Sequence, residues 1–368
     1  MNMVDRRFQP RWASAPADTI RAVMRERDIS TSDLARAMAV TSDELDAILA
    51  ARQPISIAVA RRLSTAIGGT VGFWIARDGQ YREDLARVVA DEWAETLPIK
   101  DMASYGWIDR PTDWSGRIDI ALSFFDVPDV DTWSEQYLQP LRTARLRVSA
   151  RRPPKYGSMA AWLRQAEKQA LALECKSWNP SRFAQVLSEA RALTRLKNPA
   201  TFGPKLQQVC ATAGVAVVMV RPPEGCTVSG AARFLADNRG LIALTARHQT
   251  DDHLWFTFFH EAAHLLLDGA GATYVDEMPE ATTTEDLVDQ ERAADDLAAR
   301  YLLSQEGLVR LETVRLDVRG IMKLANELNV APGIIVGQLQ YRRRLGFGSG
   351  LSHLKRRYRW VGATLEMR

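Results

Sequence analysis

The chain has 368 residues, of which 46% are hydrophobic and 25% are charged, and its net charge is only +3. This length predicts two or three domains, and no apolar run reaches the roughly 18 residues that a membrane span needs. The first twelve residues are charged and lack an apolar core, and the three cysteines form no CxxC pair. We therefore expect a soluble cytoplasmic protein with reduced thiols and no membrane partner.

Residues 15–95 predict a domain of five or more short helices, because apolar residues recur there at spacings of three and four. Serine, threonine and asparagine are the side chains that cap helix N-termini most often. On this basis Thr31 or Ser32 is expected to cap the second helix, and Thr41 or Ser42 the third.

A helix-turn-helix pattern lies within this domain. The segment 32–35 opens one helix and the segment 41–48 forms the next, which in such motifs enters the DNA major groove. The continuation through residues 53–63 and the segment Gly72-Phe-Trp-Ile75 resemble the HigA-type antitoxin branch of the Xre repressors. That resemblance covers about residues 15–95 and implies DNA binding and a homodimer.

The charges of this domain do not simply favour DNA. Residues 15–95 hold ten Arg against thirteen Asp or Glu, and phosphate contacts supply much of the affinity for DNA. Acidic side chains can still accept hydrogen bonds from cytosine amino groups. The alternative is a helical bundle that serves dimerisation or protein binding. The candidate DNA contacts are Arg36, Thr41, Ser42, Asp43, Asp46 and Arg52.

The rest of the chain predicts three further parts. Residues 96–159 form a helical and proline-rich connector, led by a helix over residues 84–107 that stops at Gly106. Residues 160–312 form a domain with strand and helix signals. Residues 313–368 form a helical, basic C-terminal segment.

Three short apolar or β-branched runs within residues 160–312 are typical of strands: 215–220, 229–235 and 241–245. Helices are predicted to follow over residues 254–267 and 286–303. We expect a small antiparallel sheet packed on these helices. The fold class is thus α+β and predominantly helical.

The segment His260-Glu261-Ala262-Ala263-His264 predicts a metal site. Residues i and i+4 share one face of a helix, so His260 and His264 can bind a single ion. Glu261 lies about 100° round the helix, where it can hold a water bound to that ion. Burying these groups in so apolar a helix is costly without a partner such as a cation. The alternative is a pair of structural histidines.

A third protein ligand is needed, with one position left for water. Glu291 and Asp295 lie one turn apart on the acidic helix that follows. Glu291 would bind the metal, and Asp295 would accept a hydrogen bond from a ligand histidine and so fix its tautomer. On spacing alone, both could equally be solvated surface groups. Zinc is usual for two His and one carboxylate, although Mn²⁺ or iron is possible.

The chemistry follows from these residue types. The metal would lower the pKa of its water and polarise a peptide carbonyl, while Glu261 takes the proton and passes it to the leaving amine. Tyr274 and His353 are candidates for stabilising the oxyanion by residue type only.

The segment Phe258–Leu267 contains His264, and 26 residues separate His264 from Glu291. Glu291 begins the segment Glu291-x-x-Ala-Asp-x-Leu-Ala298. This pattern resembles the ImmA/IrrE family of metallo-endopeptidases. The segments 228–235 and 251–256 resemble its long, regulator-fused form. The resemblance covers roughly residues 160–345.

Members of that family are gluzincin-like zinc proteases that cleave helix-turn-helix repressors. The resemblance implies that His260, His264 and Glu291 are ligands and that Glu261 is catalytic. Asp295 stands where many members have Asn, which suits the same hydrogen-bonding role.

Together these features predict a DNA-binding transcription regulator whose zinc peptidase domain cleaves a regulatory protein, either a paired repressor or the chain itself. The alternative is a HigA-like antitoxin or repressor that binds DNA and a toxin partner, with a structural or sensory metal site. A hydrolase acting on another bond is a third reading. The presence of Glu261 favours the protease, since a structural site does not need it.

Overall fold

The computed structural model divides the chain into two compact units after Glu95. Both sheets lie in the second unit, and the fold as a whole is predominantly helical, which is an α+β architecture. The finer subdivision of the second unit at residues 160 and 312 stays a prediction. The residues that the structure describes are 11–143, 155–268, 273–276 and 285–368.

The first unit is built from five helices, as the apolar spacing predicts. Its core is formed by fully buried side chains such as Ile20, Leu34, Leu45, Leu63 and Trp74. The last helix is 26 residues long, so the expectation of short helices was wrong for that element. The helices are α1 (Pro16–Glu26), α2 (Thr31–Met38), α3 (Ser42–Leu49), α4 (Ile57–Ile67) and α5 (Val71–Thr96).

The caps of α2 and α3 differ in how well they were predicted. Ser30, and not Thr31 or Ser32, caps α2, because Ser30 has the extended backbone of an N-cap and accepts from the Asp33 amide at 3.1 Å. Thr41 caps α3: its hydroxyl accepts from the Glu44 amide at 3.2 Å, and Glu44 accepts from the Thr41 amide at 2.9 Å. This reciprocal pair is a capping box.

The second unit begins with a break that the sequence pattern missed. The helix predicted over residues 84–107 is interrupted, because Pro98 lacks an amide proton and disfavours a helical residue before it. Its first helices are α6 (Ile99–Ser104), α7 (Trp114–Phe125), α8 (Val130–Trp133), a π-helical turn (Ser134–Leu138), α9 (Gln139–Thr143), α10 (Tyr156–Leu171), α11 (Pro180–Leu193) and α12 (Pro199–Ala211).

A four-stranded sheet follows, in the order β1-β3-β2-β4. Its strands are β1 (Val215–Met219), β2 (Gly230–Phe234), β3 (Gly240–Leu244) and β4 (Thr273–Asp276). The expectation of an antiparallel sheet was only partly right, because β1 pairs with β3 in parallel, with Val215 opposite Gly240. The reason is the crossover after β1. After β1 the chain leaves the neighbouring place empty and forms β2 one strand further away. The chain then turns back as a hairpin, and β3 fills the place between β1 and β2.

Two long helices carry the polar residues of interest. They are α13 (Asp251–Asp268) and α14 (Glu285–Thr313). The α14 helix is kinked at Ser304, whose φ of 63° and ψ of 161° are not helical, so its first segment ends where the predicted helix ended. After them come α15 (Val318–Glu327), α16 (Pro332–Tyr341) and a 3-10 turn (Gly350–Leu354).

The C-terminal segment ends in a hairpin and not in a helix. Strands β5 (Tyr358–Val361) and β6 (Thr364–Met367) pair antiparallel across a turn at Gly362, whose φ is 55°. The prediction of a helical tail missed these strands, in which Tyr358 lies between exposed neighbours and Leu365 is the buried residue of β6. Among the described helices, none combines the length and apolar character needed to cross a membrane.

We expect Thr41→Ala to destabilise α3 by about 1 kcal/mol, because it removes the acceptor of the capping box. Native-state hydrogen exchange of the α3 amides in the full-length protein should accelerate about fivefold. The matched control is Ser42→Ala, since Ser42 lies inside the first turn and is exposed. Equal effects of the two substitutions would contradict the assignment of the cap.

Candidate metal centre

The α13 helix buries its polar residues together with its apolar ones. His260, Glu261 and His264 are 4%, 0% and 2% exposed. Apolar side chains, including Phe258 and Phe259, form part of the main core of the unit. Because the helical repeat brings residues i and i+4 to one side, the two histidine rings meet with their centroids 4.7 Å apart.

The α14 helix brings Glu291 to the two histidines, as predicted. Its Oε2 lies 3.3 Å from His260 Nε2, and its Oε1 lies 3.5 Å from His264 Nε2. The two Nε2 atoms are 3.1 Å apart. One donor atom of each residue lies within 4.8 Å of the others, and these three form a group suited to a metal ion.

These separations fit a cation. Tetrahedral ligands at 2.0–2.1 Å from zinc lie roughly 3.3 Å from one another, which is close to the three distances found. Two neutral imidazole nitrogens that face each other across 3.1 Å in a buried site are also unfavourable unless a cation or a proton lies between them. The donors therefore suit a divalent ion that accepts two nitrogens and a carboxylate.

Asp295 lies one helical turn beyond Glu291 and holds the far side of a ligand ring. Its Oδ1 is 2.8 Å from His260 Nδ1, so the carboxylate accepts a hydrogen bond from Nδ1–H, and Nε2 is left to face Glu291. The other oxygen, Oδ2, accepts a hydrogen bond from the Tyr341 hydroxyl at 3.0 Å. Two hydrogen bonds, one to each oxygen, thus hold the Asp295 carboxylate in place.

Tyr341 was missed at the sequence level. It is the last residue of α16, it is 61% exposed, and its ring lies 5.9 Å from the ring of Phe256 on α13. The partner Asp295 lies 46 residues earlier in the chain, so no local spacing relates the two side chains. The packing of both α14 and α16 on α13 brings them together.

Glu261 faces a glycine on the sheet. A Cβ placed on Gly230 of β2 would lie 2.6 Å from Glu261 Oε1 and 2.5 Å from Thr257 Cγ2. Any side chain at residue 230 would therefore displace the carboxylate. The isolated glycine within a predicted strand was the signal that could have indicated this close approach.

The N-terminus of α13 is anchored by charges and by close helix packing. Buried Asp252 accepts from Lys355 Nζ at 2.5 Å, and burial, together with Asp252, raises the pKa of Asp251 to about 7. A Cβ on Gly333 or Gly337 of α16 would come within 2.5 Å of these carboxylate groups. The two glycines thus allow α16 to lie close against the start of α13.

The other predicted site residues lie elsewhere. His353 is exposed, and its Nδ1 contacts the carbonyl oxygen of Gly350 at 2.5 Å. The backbone of Tyr274 pairs with Ala232 in the sheet, while its side chain lies outside the described residues. The six candidate DNA contacts are all exposed on the first unit: Arg36, Thr41, Ser42, Asp43, Asp46 and Arg52.

Comparison with models of known protein families finds no match, and comparison with curated proteins finds none either. The expectation of a helix-turn-helix regulator joined to an ImmA/IrrE-type peptidase therefore stays a prediction. The candidate metal centre is supported by the geometry of His260, His264 and Glu291 alone.

We predict that Glu291→Ala abolishes tight zinc binding and that Asp295→Ala weakens it about 10–100-fold, because the second carboxylate orients a ligand ring. Asp295→Asn should retain more affinity, since its amide oxygen can still accept from His260 Nδ1. Competition with a chromogenic chelator measures each affinity. Asp289→Ala is the control, because Asp289 is exposed on the same helix; an equal loss there would contradict the ligand set.

Proposed function

We propose that the second unit is a metal-dependent endopeptidase. The observation that carries this proposal is the position of Glu261. Glu261 lies between the two histidines in the sequence and is fully buried. It is not one of the three residues whose donor atoms could hold the ion. A structural or sensory metal site needs only those donors, whereas hydrolysis also needs a base.

Three residues would hold the ion, namely His260, His264 and Glu291, and zinc or manganese suits them. Such an ion, when bound, activates a water and polarises the carbonyl of a peptide bond. Glu261 would accept the proton of the attacking water and deliver it to the leaving amine. Asp295 keeps the His260 ring in the tautomer that presents Nε2, and Tyr341 holds Asp295.

We further propose that the first unit binds DNA and that the peptidase acts on a regulatory protein, either a paired repressor or the chain itself. The capping box of α3 and the buried core around Leu34 and Leu45 support a folded helix-turn-helix. The charge is mixed: α3 contains Asp43, Glu44 and Asp46 and no basic residue. Any DNA affinity would therefore come from arginines at its flanks, such as Arg36 and Arg52.

The substitution Glu261→Gln should lower the rate of peptide hydrolysis by at least about 100-fold, because it removes the proton acceptor and leaves the three donors in place. Mass spectrometry of the zinc-loaded full-length protein over hours, alone and with a helix-turn-helix repressor, measures fragment formation. Zinc affinity should change little. Glu306→Gln, on the exposed side of α14, is the matched control and should cleave like the wild type.

If both Glu261→Gln and the wild type yield the same fragments, the role of Glu261 is wrong. If neither protein yields fragments with zinc or manganese, the peptidase proposal itself is wrong. The alternative hypothesis, an antitoxin-like protein with a structural or sensory metal site, then replaces it.

For the first unit we predict that Arg52→Ala weakens DNA binding and lowers the slope of log affinity against log salt by about 0.9, the value for one lost phosphate contact. Selection from a random DNA pool supplies the sites, and fluorescence anisotropy at several salt concentrations gives the slope. Arg82→Ala is the control, because Arg82 on α5 is paired with Asp78. Failure of the full-length protein to enrich any sequence would contradict DNA recognition.

A further inference from the structure

A cavity of about 260 Å³ lies beside the metal centre. His260 and Asp295 form part of its wall, so the cavity and the ligand set share one space. Tyr341 and Phe347 also line it, and they are 61% and 75% exposed. The cavity therefore reaches the protein surface next to the metal ligands.

The wall of this cavity is largely apolar. Phe256 contributes a ring from α13, Leu302 lies on α14, and Ile334 lies on α16. The Phe256 ring centroid is 6.2 Å from that of His260 and 5.9 Å from that of Tyr341. Phe256 thus lies close to both the ligand histidine and the tyrosine at the surface. A group bound against Phe256 would lie directly beside the reacting centre.

The charged groups of the wall are already compensated. Lys355 and Asp252 form a buried ion pair at 2.5 Å. Burial lowers the pKa of His248 to about 4 and also lowers the pKa of His253, which disfavours the charged form of both rings. Asp295 accepts from His260 and Tyr341. A charged side chain that entered would lose its hydration, which favours an uncharged occupant.

The size of the cavity sets the scale of its occupant. An apolar cavity of about 150 Å³ is enough to bind benzene. A space of about 260 Å³ therefore has room for a phenyl or indole ring, or for a long aliphatic side chain.

We propose that this cavity is the specificity pocket of the enzyme and that it binds a bulky, uncharged apolar side chain next to the scissile bond of the substrate. Phe256 is its specificity-determining residue, because its ring lines the pocket next to the ligand histidine His260. This inference rests on the proposed peptidase function.

Binding of amino-acid hydroxamates tests the pocket without requiring cleavage, because a hydroxamate binds the ion and places its side chain beside it. Isothermal titration calorimetry of the zinc-loaded full-length protein compares the hydroxamates of phenylalanine, alanine, aspartate and lysine. The benzyl compound should bind at least about tenfold more tightly than the other three. Equal affinities, or no binding of any of the four, would overturn the proposal.

Two substitutions of Phe256 separate a specific pocket from a general structural effect. Phe256→Ala enlarges the space and should shift the preference from the benzyl to the indole side chain, while Phe256→Trp fills it and should reduce the preference for benzyl over methyl. Val309→Ala, at an exposed apolar residue of α14, should leave all ratios unchanged. A uniform change of all affinities by both Phe256 variants would mean that Phe256 is only structural.

The outcome also separates this inference from the function on which it rests. Selective hydroxamate binding without cleavage of any protein or peptide would contradict the peptidase and leave the pocket as a ligand site. Cleavage of a peptide library with no preference for an apolar residue beside the cut would contradict the pocket and leave the peptidase.

Discussion

The burial of two imidazoles and a carboxylate within the apolar helix α13 is the constraint from which the rest of the second unit follows. Groups of this kind are costly to remove from water unless charge and hydrogen bonds compensate them. The two imidazoles are met by Glu291 and Asp295 on α14, which face them at 2.8–3.5 Å. The site is therefore a property of the α13–α14 pair, and any change in their packing would alter the distances between donors.

Several close contacts hold α13 in register with its surroundings. Gly230 lets the β2 backbone approach Glu261, while Gly333 and Gly337 let α16 approach Asp251 and Asp252. The same approach of α16 delivers Tyr341 to Asp295 and Ile334 to the pocket wall. The sheet, the helix α13 and the pocket wall thus depend on close contacts that only glycine allows. Interiors packed in this way tolerate added volume poorly.

Much of the metal centre was predictable because its signals are local. His260 and His264 share a helical face by their spacing, and Glu291 and Asp295 are one turn apart on the next helix. The bounds of α13 and of the first segment of α14, which ends near Ser304, also followed from periodicity. The first unit shows the same: its helices and the Thr41 cap follow from short-range patterns.

The features that were missed depend on contacts between distant residues. Whether β1 pairs in parallel or antiparallel depends on which strand fills the place next to it, and this is not encoded in the strand itself. The contact between Tyr341 and Asp295 spans 46 residues, and the pocket joins side chains of three helices. The C-terminal hairpin was not predicted, because each of its strands has only four residues and lies among basic residues.

The proposed chemistry of the second unit requires one ion bound by His260, His264 and Glu291. X-ray absorption at the zinc edge of the metal-loaded protein tests this, because imidazole, carboxylate and thiolate ligands give distinct distances. We predict nitrogen and oxygen neighbours at about 2.0–2.1 Å with the outer-shell scattering of two imidazoles, of which one is lost in His264→Ala. Sulfur neighbours at about 2.3 Å, or a spectrum that His264→Ala leaves unchanged, would contradict it.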